Sequence, residues 1–225
     1  LKYLDDPNLV HWFALNPLVA NHSKLSPVPL GLQNRFERRA LPELYLAAKE
    51  KARGHKIGDV QMVINFKPHN SDRWQVIELF QNEKWARVEK YGFMVKGKDH
   101  VDKATALGML LGELSKYKFA VSPRGWGLDC YRTWELLAIG VVPIVKHSSL
   151  DPLFEGLPVL LVNNWTEIDE HMLHVNWGKF KHQILSRNIL PGITFRFYQD
   201  KILKVAQTRG VEAAGEKYGM VRRGV

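Results

Sequence analysis

Residues 119–146 read FAVSPRGWGLDCYRTWELLAIGVVPIVK, and no other stretch limits the fold as tightly. Residues 119–121 are a short apolar run, and 141–145 are a second one with three valines and an isoleucine, a composition typical of strands buried on both faces. Between them Ser122, Pro123, Arg124, Gly125, Trp126 and Gly127 cannot continue a strand. Asp129 stands where an N-cap belongs, good helix formers run on to Ile139, and Gly140 supplies the stop. Strand, glycine turn, helix and strand in immediate succession predict a parallel sheet crossed by helices.

A glycine loop that feeds a helix N-terminus presents unpaired N–H groups and a positive dipole end, which suits a phosphate; here that end is residues 129–131. Arg132 and Glu135 fall three apart on one side of the helix, while Cys130, Trp134, Leu137 and Ala138 form the opposite, core-facing stripe. Leu136 and Ile139 flank the charged pair, so the helix is covered nearly all round and its charges need a reason. Two reasons compete. Arg132 and Glu135 form a structural ion pair at helical spacing, or Arg132 clamps a diphosphate with its planar fork while Glu135 accepts from ribose hydroxyls.

The rest of the chain repeats this alternation. Residues 10–15 suggest a short strand in a proline-punctuated lead-in that carries His11, Trp12, Asn16 and His22. A helix is expected within 33–53, a strand over 60–66, and a helix over 72–80 capped by Ser71, with Arg73 in its first turn. Val88 and residues 91–95 suggest a strand, and 102–116 a helix with Ala106, Met109, Leu110 and Leu114 facing the core. After the central unit His147 sits at the carboxyl end of a strand, where open α/β sheets place ligands; a plain loop histidine is the alternative. A strand over 158–162, a helix capped by Thr166, a polar amphipathic segment over 178–188 and a helix over 194–205 complete the pattern. Three parts follow: a lead-in (1–32), a main domain (33–208) and a basic tail (209–225).

The 225 residues carry 32 Lys and Arg against 23 Asp and Glu, a formal charge of +9 that favours anionic ligands. The basic residues are scattered rather than stacked, which argues against nucleic acid as the partner. No apolar run approaches the roughly 20 residues of a membrane-spanning helix. Cys130 is the only cysteine, so an intrachain disulfide is excluded; a reducing, cytoplasmic setting is the simpler expectation, with the Golgi lumen the alternative for a trimmed fragment. Its place on the packed stripe reads as a small hydrophobe rather than a catalytic thiol.

The run SPRGWGLDCYRTWELLAIGVVPIV resembles the donor-site motif of exostosin-like glycosyltransferases in order, spacing and residue type. The resemblance implies the nucleotide-sugar-binding half of a two-domain GT-B fold, a Rossmann-like sheet with helices on both faces. Most of the first domain would then be missing, with residues 1–32 its remnant or linker. It further implies that Ser122, Arg124, Arg132 and Glu135 line the donor site, Arg132 on the phosphates and Glu135 on the nucleoside side. Gly125, Gly127 and Asp129 belong to the same loop; Arg73 is expected to touch the donor phosphate, with an exposed helix arginine the alternative, and His147 to touch the sugar or phosphate. Trp126 departs from the family, where a smaller polar residue is common. The expected partners are a nucleotide sugar and a glycan acceptor, with no cofactor; no Asp-x-Asp element is present, in keeping with the metal-independent habit of such enzymes. A non-catalytic nucleotide-sugar-binding module is the alternative expectation, and a basic nucleic-acid-binding domain a more distant one.

Overall fold

The computed structural model describes residues 2–32, 41–54, 56, 58, 61–89, 103–186, 188 and 190–208. Two short strands, β1 (Trp12–Ala14) and β2 (Leu25–Pro27), pair in parallel as a small sheet of their own. There follow α1 (Leu41–Gly54), β3 (Met62–Ile64), α2 (Ser71–Phe80), β4 (Ala86–Val88), α3 (Lys103–Leu114), β5 (Phe119–Val121), α4 (Tyr131–Ala138), β6 (Val142–Lys146), β7 (Leu160–Val162), α5 (Glu170–Ile184) and α6 (Phe195–Thr208). The main sheet has five strands in the order β4-β3-β5-β6-β7, and every pair is parallel. The α/β sheet expected from the alternating pattern is therefore what the chain forms.

Period-two alternation sends successive strand residues to opposite faces, and both faces are covered. Met62, Ile64, Phe119, Val121, Val142 and Ile144 face a core shared with Val76, Phe80, Trp134 and Leu173. Val63, Ala120 and Val141 face the other, shared with Tyr45, Ala48, Leu111 and Leu136. Helix α4 serves both: Trp134 and Leu137 enter the first, Leu136 and Ile139 the second. It is thus covered nearly all round, as its residue pattern requires. Gly140, at φ +80°, ends it in the left-handed region, and a side chain there would meet Ala52 Cβ at 3.2 Å.

Several sequence expectations shift. Cys130, not Asp129, is the N-cap of α4, without a side-chain capping bond. Asn70, not Ser71, caps α2: it has the extended backbone a cap needs and its side chain accepts from Arg73 N–H. Thr166 lies in a 3-10 turn (Trp165–Glu167), and Asp169 caps the α5 helix, which runs on as far as Ile184 into the segment read as separate over 178–188. Met109 is exposed and Leu111 takes the buried place, because the core-facing arc of α3 runs through Ala106, Leu111 and Leu114. The strand expected over 91–95 and the tail from 209 lie outside the described residues. No helix among the described residues is long and apolar enough to cross a membrane.

Candidate functional site

Strand order reverses between β3 and β5, since the chain moves from β3 outward to β4 and then returns to the far side of β3. A parallel sheet opens a crevice at such a point, beyond the carboxyl ends of its strands, because the loops leaving the two strands diverge to opposite faces. The loops that leave β3 and β5 flank it and are bridged by Arg73, which donates to Lys67 O in one and Arg124 O in the other. Next to them lies a cleft of about 290 Å³, lined by Asp72, Ser122, Arg124, Leu128, Thr133, Lys146, His147 and Trp165 among others.

Three of the sequence-expected site residues, Ser122, Arg124 and His147, are thus brought into one cleft. Ser122 is buried and its hydroxyl shares a 2.9 Å hydrogen bond with Thr133 Oγ1, so two hydroxyls pair at the cleft wall. Arg124 is exposed. His147 pairs through Nδ1 with Asp151 Oδ2 at 2.7 Å, and Asp151 Oδ1 accepts from Ser148 N–H at 2.8 Å. When the Nδ1 proton donates to Asp151, Nε2 becomes the acceptor of the ring.

Asp72, Thr133, Lys146 and Trp165 join the cleft without being marked as a set by the sequence pattern. Lys146 Nζ donates to Asp72 Oδ1 at 2.7 Å, Trp165 Nε1 donates to the same oxygen at 2.9 Å, and the ammonium stands 5.0 Å from the Trp165 ring centroid. A carboxylate and an indole therefore fix the position of a half-buried cation. The available signal was that Lys146 closes β6 at its carboxyl end, directly before His147.

The glycine loop is built differently from expectation. Asp129 is almost fully buried and does not line the cleft. Its carboxylate accepts from Leu30 N–H at 2.7 Å, Cys130 N–H at 2.8 Å and Trp134 Nε1 at 2.8 and 3.0 Å. Burial pushes its pKa up, opposed by those three donors. Asp129 N–H itself donates to Asn16 Oδ1 at 2.6 Å. The amides of Asp129 and Cys130 are therefore engaged within the protein, and the helix end is a less open anion cradle than its residues suggest. Gly127 is needed for a related reason: a Cβ there would stand 2.7 Å from Asn16 Oδ1. A Cβ at Gly125 would likewise stand 3.3 Å from Cys130 Sγ and 3.6 Å from Arg73 Nη2. Both glycines make room for the protein's own side chains.

Arg73 acts as a strut. Its guanidinium donates to the carbonyls of Lys67 (3.1 Å), Arg124 (3.1 Å) and Pro123 (3.5 Å), tying the two loops together, and it lies 5.2 Å from the Phe66 ring. Arg132 and Glu135 do not line this cleft. Glu135 accepts from Tyr45 Oη of α1 at 3.3 Å; burial raises its pKa, opposed by the nearby Arg132 charge and by Tyr45. Burial also raises the Cys130 thiol pKa, against the reactive thiolate and for the packing role. Among the described residues no group of three or more His, Cys, Asp or Glu side chains could hold a metal ion. No family model matches the chain, and no curated protein is found to match it.

Proposed function

We propose that the chain binds a nucleotide-diphosphate sugar as the donor half of a glycosyltransferase and transfers that sugar to an acceptor hydroxyl. The observation that carries the reading is the meeting of Arg124, Lys146, the Ser122–Thr133 hydroxyl pair and the His147–Asp151 pair in one cleft at the carboxyl ends of a parallel sheet. Arg124, with Lys146 held in place by Asp72, leaves the cleft a net positive charge that suits a diphosphate, and paired hydroxyls with an imidazole suit a sugar. The motif resemblance over residues 122–145 points the same way.

In the reaction, the acceptor oxygen bonds to the anomeric carbon as the bond from that carbon to the diphosphate oxygen breaks. The nucleoside diphosphate leaves with the electron pair, and Arg124 and Lys146 stabilise the charge that develops on it. His147 Nε2 takes the acceptor proton, with Asp151 holding the imidazole in the required tautomer. By the resemblance, Arg132 takes the phosphates and Glu135, which accepts from Tyr45 on the flank of α4, the nucleoside side.

A thermal-shift screen of nucleoside-diphosphate sugars, followed by an assay of transfer and donor hydrolysis, tests this. Stabilisation by at least one donor, reduced in Arg124→Ala, Lys146→Ala and Glu135→Gln, is expected. Stabilisation without turnover makes the chain a binding module, and no stabilisation by any donor refutes the reading. If Glu135→Gln and Arg132→Ala bind as the parent does, those two are a structural pair.

A further inference from the structure

A transfer between two substrates needs a second subsite at the mouth of the cleft, because the acceptor oxygen must come within about 3–3.5 Å of the reacting carbon. Trp126 adjoins the cleft along the chain: two residues before it Arg124, and two after it Leu128, line the cleft. It is 95% exposed, more than any other large apolar side chain among the described residues. Exposure of this kind means little on a loose loop, but this loop is braced from behind. Asn70 Nδ2 donates to the carbonyls of Arg124 (3.2 Å) and Gly125 (3.4 Å), Arg73 Nε donates to Arg124 O, Gly125 N–H donates to Gly127 O at 3.1 Å, and Asn16 packs against Gly127. The indole stacks on His69, with centroids 5.5 Å apart and planes 27° from parallel, and His69 Nδ1 lies 3.1 Å from Lys67 O. Trp126 belongs to the loop after β5 and His69 to the loop after β3, so the stack bridges the two loops of the switch point.

We propose that the Trp126–His69 stack is the acceptor subsite and takes a pyranose ring of a neutral oligosaccharide, resting on the proposed donor function of the adjoining cleft. The C–H face of a pyranose carries slight positive charge and lies against the negative face of an indole, while its hydroxyls stay in water. A glycan whose chain continues outward fits a shelf this exposed, whereas a nucleobase there would remain almost wholly solvated and gain little discrimination. Prior fixing of the ring by its braces lowers the ordering cost of binding.

Isothermal titration of the full chain with cellohexaose, chitohexaose and maltohexaose, and separately with the donor nucleotides UDP and GDP, tests the proposal. At least one hexasaccharide binds the parent, Trp126→Ala weakens it by about 10-fold or more, and Trp126→Phe stays within about 3-fold. Nucleotide binding by Trp126→Ala stays within about 2-fold of the parent. If none of the three hexasaccharides binds, or Trp126→Ala binds them as the parent does, the proposal is overturned. If Trp126→Ala loses nucleotide instead, the stack belongs to the donor and the acceptor assignment is wrong. Hexasaccharide binding lost in Trp126→Ala, with no nucleotide binding by any variant, upholds the shelf and refutes the donor reading alone.

Discussion

Asp129→Ala separates a framework carboxylate from a ligand-binding one. The wild-type side chain satisfies three donors: the Leu30 amide from the N-terminal segment, the Cys130 amide at the head of α4, and the buried Trp134 indole. Alanine leaves these donors facing a void too apolar to supply full hydration, at about 1–3 kcal/mol for each group left unsatisfied. Partial relaxation and water reaching the Leu30 amide reduce the sum, so about 3–5 kcal/mol is expected, a large share of the ~5–15 kcal/mol of a typical domain. At about 2–4 °C per kcal/mol the melting temperature falls by roughly 6–20 °C. Asp129→Asn keeps one acceptor oxygen but sets an NH2 against one N–H donor, so its loss is smaller, about 1–2 kcal/mol. Urea denaturation at pH 7, followed by circular dichroism, measures all three proteins. An alanine variant within about 0.5 kcal/mol of the parent would show that these bonds do not hold the loop.

Three further outcomes follow from the geometry. Gly127→Ala pushes a methyl into Asn16 and destabilises by about 1–3 kcal/mol in the same assay, whereas Gly54→Ala, with open space around it, stays neutral or better. Lys56 Nζ donates to the carbonyls of Ser115, Tyr117 and Gly140 at 2.7–2.8 Å, and burial lowers its pKa to about 7. Because the unfolded lysine titrates near 10.4, the unfolded chain binds the extra proton between the two values, so stability rises with pH from about 7 to about 10. Lys56→Met removes that slope, measured as urea midpoints at pH 7 and 9.5; a parallel slope in the variant would refute the assignment. Lys146→Ala leaves Asp72 held by the Trp165 indole and reduces donor-induced thermal stabilisation by about half or more, with fold stability within about 1 kcal/mol of the parent.

The strands and helices were legible because the signal that defines them is local. Apolar runs such as 119–121 and 141–145 mark strands buried on both faces, and Gly140 marks a helix end wherever the rest of the chain goes. That Ser122, Arg124 and His147 share one cleft was legible for the same reason, since each follows the carboxyl end of a strand, and a parallel sheet gathers those ends on one edge. Cap identities slipped by one residue at Asn70 and Cys130 because a cap is chosen by backbone angle, which Ser71 and Asp129 do not disclose by residue type. Met109 and Leu111 could not be ranked for burial from the pattern of α3 alone, since both are apolar.

The sequence by itself determined the α/β alternation, the parallel sheet and the carboxyl-end position of the loops that line the cleft. Only the tertiary structure decided that Asp72, Lys146 and Trp165 meet, since partners 74 and 93 residues apart leave no mark on local periodicity. It also turned Asp129 inward. A carboxylate beside a glycine loop satisfies the same residue pattern whether it faces a ligand or a buried amide, and here Leu30, 99 residues away and brought in by the fold, joins the neighbouring Trp134 as donor.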